Sequence, residues 1–194
     1  PNRRNDGQFY VKIIDYIINN DTPVKRRFVK KWQHHWFGNA PDNLGDRNLA
    51  RGKRIFEQAT CSRCHNIGPG EKKLGPDLTD VTKRFKGSKL LTQIVKPSAE
   101  IHKKFQTQMV VTDDGRLRTG LVIEESNDAI RLLPNLLKPD KIDTISKSSI
   151  EARKTADVST MPTGLLDTYT VEEIFDLLAY IQASDRATVS KATK

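Results

Sequence analysis

The chain has 194 residues, of which 36% are hydrophobic and 29% are charged. This composition is typical of a hydrophilic globular protein and excludes a fibrous or wholly disordered chain. The most apolar run, residues 9–18, contains Lys12 and Asp15 and is shorter than the roughly 20 residues that span a bilayer, so no transmembrane helix is predicted. The sequence starts without a methionine or a visible signal peptide, and we interpret it as a trimmed or excised chain that need not be cytoplasmic.

Lysine and arginine outnumber the acidic residues by 33 to 24, which gives a formal net charge of +9. Such an excess favours an acidic partner or surface, and an ordinary solvated basic surface explains it equally well. The basic residues are spread along the chain, and no aromatic and basic motif of a nucleic-acid module accompanies them. Nucleic acid is therefore not predicted as a partner.

The first 40 residues carry apolar side chains at helical spacing. One stripe occupies residues 9–18, and a second follows with Val24, Phe28, Trp32 and Trp36 at intervals of four. Residues 19–23 separate the two stripes and are of the types that end one helix and begin another. We predict a helical hairpin over residues 1–40, followed by a linker over residues 38–46.

The next segment predicts two helices separated by a loop. Leu49, Gly52, Ile55 and Phe56 share one face of the first helix, and residues 87–95 form a second helix that ends before Pro97. Glycine and proline dominate residues 66–78, which predicts a loop there.

Residues 105–145 change to the pattern of β-structure. Asp113, Asp114 and Gly115 separate two runs rich in β-branched residues, which is typical of a hairpin. Residues 129–133 and 140–145 are predicted as further strands of a small antiparallel sheet. A last helix begins where Thr170 and Glu173 fit a capping box, and residues 186–194 are predicted to form a mobile tail.

Between the first helix and the loop lies the sequence Cys61-Ser62-Arg63-Cys64-His65. Cys-x-x-Cys-His is the attachment motif of a c-type haem. The two thiols can add to the two vinyl groups of one porphyrin, and His65 then supplies an axial nitrogen to the iron. The motif predicts one covalently attached haem.

Three other interpretations use the same residues. A disulfide between Cys61 and Cys64 or a thioredoxin-like redox pair would need only the cysteines, but the redox pair also requires a βαβ pattern that is missing here. A zinc site needs about four ligands, and no second cluster of Cys and His lies at ligand spacing.

Around this motif the sequence resembles a class I cytochrome c, over about residues 49–85 and 160–183. In that family the first helix crosses the last, and Gly52 and Phe56 match its first helix while Leu177 and Tyr180 match its last. The family also carries Gly-Pro-x-Leu after the haem motif, found here as residues 75–78. The resemblance implies that the carbonyl of Pro76 accepts a hydrogen bond from His65 and orients the ring.

The resemblance also implies a second axial ligand, which is a methionine in this family. Met161 lies in a loop just before the last helix and is followed by Pro162, as in the family, so we predict that it faces His65 across the iron. Its other interpretation is a core-filling residue. Met109 lies in a run rich in β-branched residues and is predicted to belong to the sheet core.

The remaining histidines are weaker candidates for that ligand. His102 follows the break at Pro97 and could approach the distal side, but it is otherwise a polar surface residue. His34 and His35 are adjacent on a predicted helix and would point to different faces, so they cannot both bind one metal. Both are predicted to be partly buried or interfacial.

The distance in sequence from His65 to Met161 is much longer than in a small cytochrome c, and the β segment at about 105–145 accounts for the excess. This combination is similar to the Planctomycete/Verrucomicrobium-type haem-binding domain, the C-terminal domain of larger dehydrogenase-like proteins with helical repeats. We therefore predict a mainly α fold, in which residues 1–40 are the end of a helical-repeat region. Residues 41–185 form a cytochrome c core with an inserted antiparallel sheet.

The predicted function is electron transfer by a monohaem domain, alone or as part of a larger oxidoreductase, between a dehydrogenase-type donor and a downstream acceptor. Lys72, Lys73 and Lys83 are candidates for steering an acidic redox partner. The resemblance implies a periplasmic or other extracytoplasmic location in a bacterium. Two alternatives stay open. One is a haem enzyme or gas sensor with a vacant or labile sixth position and His102 as acid or base. The other gives the inserted sheet and the helical hairpin the main role, as an interaction or dimerisation surface with a structural haem.

Overall fold

The computed structural model describes residues 26–70, 73–136 and 138–191, with side chains described up to residue 183. The described residues fall into two compact units. The helical unit lies within Pro23–Glu100 and Pro162–Lys194, and the sheet unit contains Ile101–Met161. Within the described part of the chain, no helix has both the length and the apolarity needed to cross a membrane.

In its described residues, the helical unit has four α-helices joined by loops and short 3-10 turns. The helices are α1 (Leu49–Gln58), α2 (Cys61–Cys64), α3 (Gly87–Val95) and α4 (Val171–Lys191). Capping explains two of their starts, since the side chain of Asn48 accepts a hydrogen bond from Arg51 N–H at the start of α1. At the start of α4, Thr170 N–H donates to Glu173 Oε2 at 2.9 Å and Glu173 N–H donates to Thr170 Oγ1 at 3.4 Å. The predicted capping box is confirmed.

Helices α1 and α4 pack in direct contact at Gly52. A Cβ added there would collide with the backbone carbonyl of Asp176 and lie 2.7 Å from Tyr180 Cβ, so only glycine allows this approach. One turn further along α1, the ring of Phe56 lies 5.8 Å from that of Tyr180, centroid to centroid. Leu177 is 1% exposed. The contact therefore includes three of the four residues that the cytochrome resemblance pairs, Gly52, Phe56 and Tyr180.

The sheet unit is a five-stranded antiparallel sheet in the order β4-β3-β2-β1-β5. The strands are β1 (Gln106–Thr112), β2 (Leu117–Glu125), β3 (Ala129–Leu133), β4 (Asp143–Ser146) and β5 (Ile150–Ser159). The turn between β1 and β2 contains Gly115 at φ 73°, a conformation that glycine adopts readily. One face buries a small core of Val110, Ile130, Leu132 and Ile145. The predicted hairpin and the two further strands are confirmed.

The prediction of a mainly α fold is wrong. Helix makes up 34% of the residues and strand 23%, because the sheet is a full five-stranded unit and not a small insertion. The sheet extends beyond residue 145 through β5, which the sequence pattern did not indicate because seven of its ten residues are exposed and only one is buried.

The predicted N-terminal helical hairpin is also not supported. Its first helix lies outside the described residues. In place of the second, residues 26–33 form no helix and only His34–Phe37 form a 3-10 turn. The backbone N–H groups of Val29 and Lys30 both donate to Asp167 O, at 2.8 and 3.1 Å. These two N–H groups therefore do not make the backbone hydrogen bonds of a helix.

Glu125 links two strands through ion pairs. Its carboxylate accepts hydrogen bonds from Arg153 Nη1 and Nη2, each at 3.1 Å, and pairs with Lys147 Nζ at 2.9 Å. The hydrogen bonds from Arg153 and Lys147 lower the pKa of Glu125 to about 2, so this stabilisation is present above the ordinary value of 4.5 and is lost as the pH falls toward 2.

We expect Glu125→Gln to reduce the free energy of unfolding at neutral pH by less than about 1 kcal/mol, because the side chain is 38% exposed. The variant should also lose less stability than the wild type on acidification, which urea unfolding at several pH values would measure. Glu151→Gln, at an exposed position of β5, is the matched control. Equal acid sensitivity of Glu125→Gln and the wild type would contradict this account.

Candidate functional site

The cysteine motif follows α1 after a sharp change of backbone direction at Thr60. Thr60 has φ 64°, and it is the one residue other than glycine with positive φ in the part of the chain that the structure describes. Cys61–Cys64 then form the short helix α2, closed by a hydrogen bond from His65 N–H to Cys61 O at 2.9 Å. Residues three apart on a helical turn lie on the same side, so the two thiols are neighbours. His65 follows the turn in an extended backbone conformation.

Both thiols are free, and both are protonated at neutral pH. Burial raises the pKa of Cys61 to about 12 and that of Cys64 to about 11. A redox-active pair needs a thiolate with a lowered pKa, so these values oppose the thioredoxin-like interpretation. Because the two cysteines are not bonded to each other, the structure gives no support to the disulfide interpretation. Within the described residues no group of three or more Cys, His, Asp and Glu could hold a metal, which leaves the zinc interpretation without support.

The ring of His65 is oriented by the loop that follows the motif. Its Nδ1 lies 2.7 Å from the carbonyl oxygen of Pro76. Because a carbonyl can only accept, Nδ1 carries the proton and the Nε2 lone pair is left for a metal. Burial lowers the pKa of His65, and the hydrogen bond to Pro76 opposes this shift. Burial therefore favours the neutral imidazole, and the hydrogen bond to Pro76 determines its tautomer.

Gly75 allows the loop to close over that ring. A Cβ there would lie 2.9 Å from His65 Cε1 and 2.8 Å from Cys64 O. Gly75 N–H also donates to Cys64 O at 2.8 Å, which fixes the loop to the end of α2. Further along, Leu78 N–H donates to Asn66 O at 2.9 Å. The structure thus assembles the motif, Gly75 and Pro76 into one local arrangement.

The two methionines lie in different settings. Met109 is in β1, paired with Thr119 and Lys154 on the neighbouring strands, and is half-buried. Met161 is half-buried outside regular structure, at the end of the sheet unit, and its N–H donates to Ser159 Oγ at 3.1 Å. The role of Met161 as an axial ligand stays a prediction.

The other candidates are surface residues. His102 is exposed, and its Nδ1 accepts a hydrogen bond from Lys104 N–H at 3.2 Å. His34 and His35 are also exposed, whereas the sequence predicted partial burial. Of the lysines proposed for steering a partner, Lys72 lies outside the described residues. Lys73 Nζ donates to Ser62 O at 2.9 Å and Lys83 pairs with Asp80 at 3.0 Å.

One buried polar residue near the motif was missed by the sequence reasoning. Asp176, on α4, is 1% exposed and accepts hydrogen bonds from Asn48 N–H at 3.2 Å and from Arg51 Nε. The carboxylate thus links the start of α1 to α4 beside the Gly52 crossing. An acidic residue within the apolar stripe of α4 was the available signal, because a buried charge requires a partner.

A comparison with known families agrees with this geometry. Residues 49–117 match the family model described as Cytochrome c, which covers less than half of the chain and includes the motif, Gly75 and Pro76. Met161 and α4 lie outside the matched range. No curated protein matches the chain. Free paired thiols and a neutral, oriented histidine are the donors that this family uses for its cofactor. Residues 49–117 are therefore similar to a cytochrome c domain, and a domain of this family implies a covalently attached haem c with iron.

Proposed function

We propose that this chain transfers single electrons through one haem c, attached at Cys61 and Cys64 and ligated by His65 and Met161. The donor would be a dehydrogenase-type protein or domain, and the acceptor a second cytochrome or a terminal oxidase. The observation that carries the proposal is the 2.7 Å contact between His65 Nδ1 and the Pro76 carbonyl, beside two free thiols.

The residues of the motif fit the cofactor that the family implies. Cys61 and Cys64 supply two thiols from one helical turn, and the tautomer of His65 leaves Nε2 available. The hydrogen bond from His65 Nδ1–H to the Pro76 carbonyl increases the donor strength of the imidazole and fixes its ring plane. Haem c itself supplies reversible one-electron exchange at its iron.

Met161 is proposed as the sixth ligand by comparison of the two methionines in the chain. Met109 is held within the central part of the sheet by pairing on both sides. Met161 lies in an irregular segment that can present a thioether. A soft thioether favours ferrous iron and raises the reduction potential, which suits electron transfer more than oxygen chemistry.

The proposed location and partner follow from the cofactor and the charge. Cytochrome c domains are typically extracytoplasmic in bacteria, and we place this one in the periplasm or at the cell surface. The net charge of +9 supports a redox partner with an acidic docking surface. The domain would act alone or within a larger oxidoreductase.

Replacing Met161 by leucine tests the ligand assignment, because it removes the sulfur and keeps the size of the side chain. We expect the oxidised wild type to show a charge-transfer band from methionine to iron, and Met161→Leu to lose it. The reduction potential should fall by roughly a few tenths of a volt, since axial ligands set it over about 0.8 V. Optical spectroscopy and redox titration measure both effects.

Met109→Leu is the matched control and should keep the band and the potential. A wild-type protein with five-coordinate resting iron that binds carbon monoxide rapidly would contradict the proposal and favour the haem enzyme or gas sensor.

A further inference from the structure

A basic segment with exposed aromatic residues runs along the helical unit. We call residues 26–37 the basic strap. Its sequence contains four Lys and Arg residues, two histidines and no acidic residue. This segment lies outside the residues that match the cytochrome c family.

The strap is anchored to the segment that leads into α4. In addition to the two hydrogen bonds of its backbone to Asp167 O, Trp32 Nε1 donates to Tyr169 O at 3.0 Å. Arg26 Nη2 pairs with Glu173 at 2.6 Å, and its guanidinium lies 4.3 Å from the centre of the Tyr169 ring. These contacts hold the strap in a defined position on the helical unit.

Three large apolar side chains of the strap are exposed to solvent. Phe28 is 68% exposed, Trp36 47% and Val29 44%. Exposed apolar residues concentrated in one short segment are typical of a surface that binds a partner. Lys30 Nζ lies 3.9 Å from the centre of the Trp36 ring, so a cationic and an aromatic group of the strap are in direct contact.

A cavity next to the strap is lined by both basic and aliphatic residues. Its volume is about 470 Å³, and Lys31 and His34 of the strap line it together with Lys96. The rest of its lining includes the aliphatic residues Ile94, Val95, Leu165 and Leu166. Asp167 also lines the cavity, but its Oδ1 accepts a hydrogen bond from Trp32 N–H at 3.3 Å. Basic groups beside an aliphatic surface suit an anionic amphiphile.

We propose that the basic strap docks this domain on a membrane surface that contains anionic phospholipids. Phe28, Val29 and Trp36 would enter the interface between headgroups and acyl chains, where tryptophan and other aromatic residues are favoured. Arg27, Lys30 and Lys31 are exposed and would contact the headgroup phosphates. Lipid is chosen over an acidic protein because exposed cationic residues beside aromatic ones, with no acidic residue among them, are typical of segments that bind the membrane interface.

Co-sedimentation of the full chain with vesicles tests the proposal. One set contains equal parts of phosphatidylcholine and phosphatidylglycerol, and the other contains phosphatidylcholine alone. We expect binding to the anionic vesicles that weakens as salt is added, and little binding to the neutral ones. Bound protein is measured on gels, so the result does not depend on the haem and stays distinct from a failure of the electron-transfer proposal.

Two variants of the strap separate its apolar and basic contributions. Phe28→Ser with Trp36→Ser should weaken binding by about tenfold or more, because partly buried aromatic area is lost. Lys30→Glu with Lys31→Glu should weaken it by at least a similar factor, because each lysine near an anionic surface adds about fivefold. Circular dichroism should show both variants folded.

Matched changes in the sheet unit are the controls. Leu117→Ser removes an apolar residue that is 56% exposed, and Lys138→Glu with Lys141→Glu makes the same change of charge at exposed positions. Both should bind vesicles like the wild type. Equal losses in the strap and control variants would overturn the proposal. So would a wild type that ignores both kinds of vesicle, which would leave an acidic protein as the partner of the strap.

Discussion

Replacing Gly52 by valine is expected to destabilise the domain by about 3 kcal/mol or more. The Cβ atom alone would collide with the Asp176 carbonyl and lie 2.7 Å from Tyr180 Cβ. These atoms belong to the backbone and the first side-chain atom of α4, so they can move only if the whole helix moves. Replacing glycine within a helix normally gains up to about 1 kcal/mol from backbone entropy, which is less than the cost of this overlap.

Urea unfolding followed by far-UV circular dichroism measures this effect. Lys53→Val is the matched control, since Lys53 is the next residue of α1 and is exposed. It introduces the same β-branched side chain and should cost only a few tenths of a kcal/mol through helix propensity. A Gly52→Val protein with the midpoint of the wild type would show that α1 and α4 do not pack as described.

Elements with a clear apolar period were predicted well from the sequence. Helix α3 was predicted with the observed bounds, because Leu90, Leu91 and Ile94 define a buried stripe and Pro97 follows its end. The turn at Gly115 and the strands beside it were equally clear, since the aspartates and the glycine interrupt two β-branched runs. In these segments, local propensity and burial indicate the same structure.

The predictions failed where partners distant in sequence determine the conformation. Strand β5 buries only Ala156, so it shows no apolar alternation, and its place in the sheet comes from backbone pairing with β1. In the strap, Phe28, Trp32 and Trp36 lie four residues apart, which is the apolar spacing typical of an amphipathic helix. The observed segment is instead held by Asp167 and Tyr169, which are far along the chain. Periodicity cannot indicate such contacts.

The candidate site shows the same division. The motif residues are local in sequence, so their chemistry was readable from Cys-x-x-Cys-His alone. The contact between His65 and Pro76 was expected only through the family resemblance, because a carbonyl acceptor has no sequence signal of its own. The ligand role of Met161 depends on a position distant from the motif, and it stays a proposal.

Replacing both cysteines by serine is expected to abolish covalent retention of haem. Serine hydroxyls do not form thioether bonds, so haem bound to Cys61→Ser with Cys64→Ser should be extracted completely by acidified acetone. Mass spectrometry of the denatured wild type should show one added haem, and the double variant should show none. Each single variant should retain one bond, which shifts the α-band of the pyridine haemochrome because one vinyl group stays unsaturated.

Ser62→Ala is the control within the same helical turn, since it changes a residue between the cysteines and leaves both thiols. It should retain haem like the wild type. A double serine variant that keeps haem through extraction would contradict the thioether assignment.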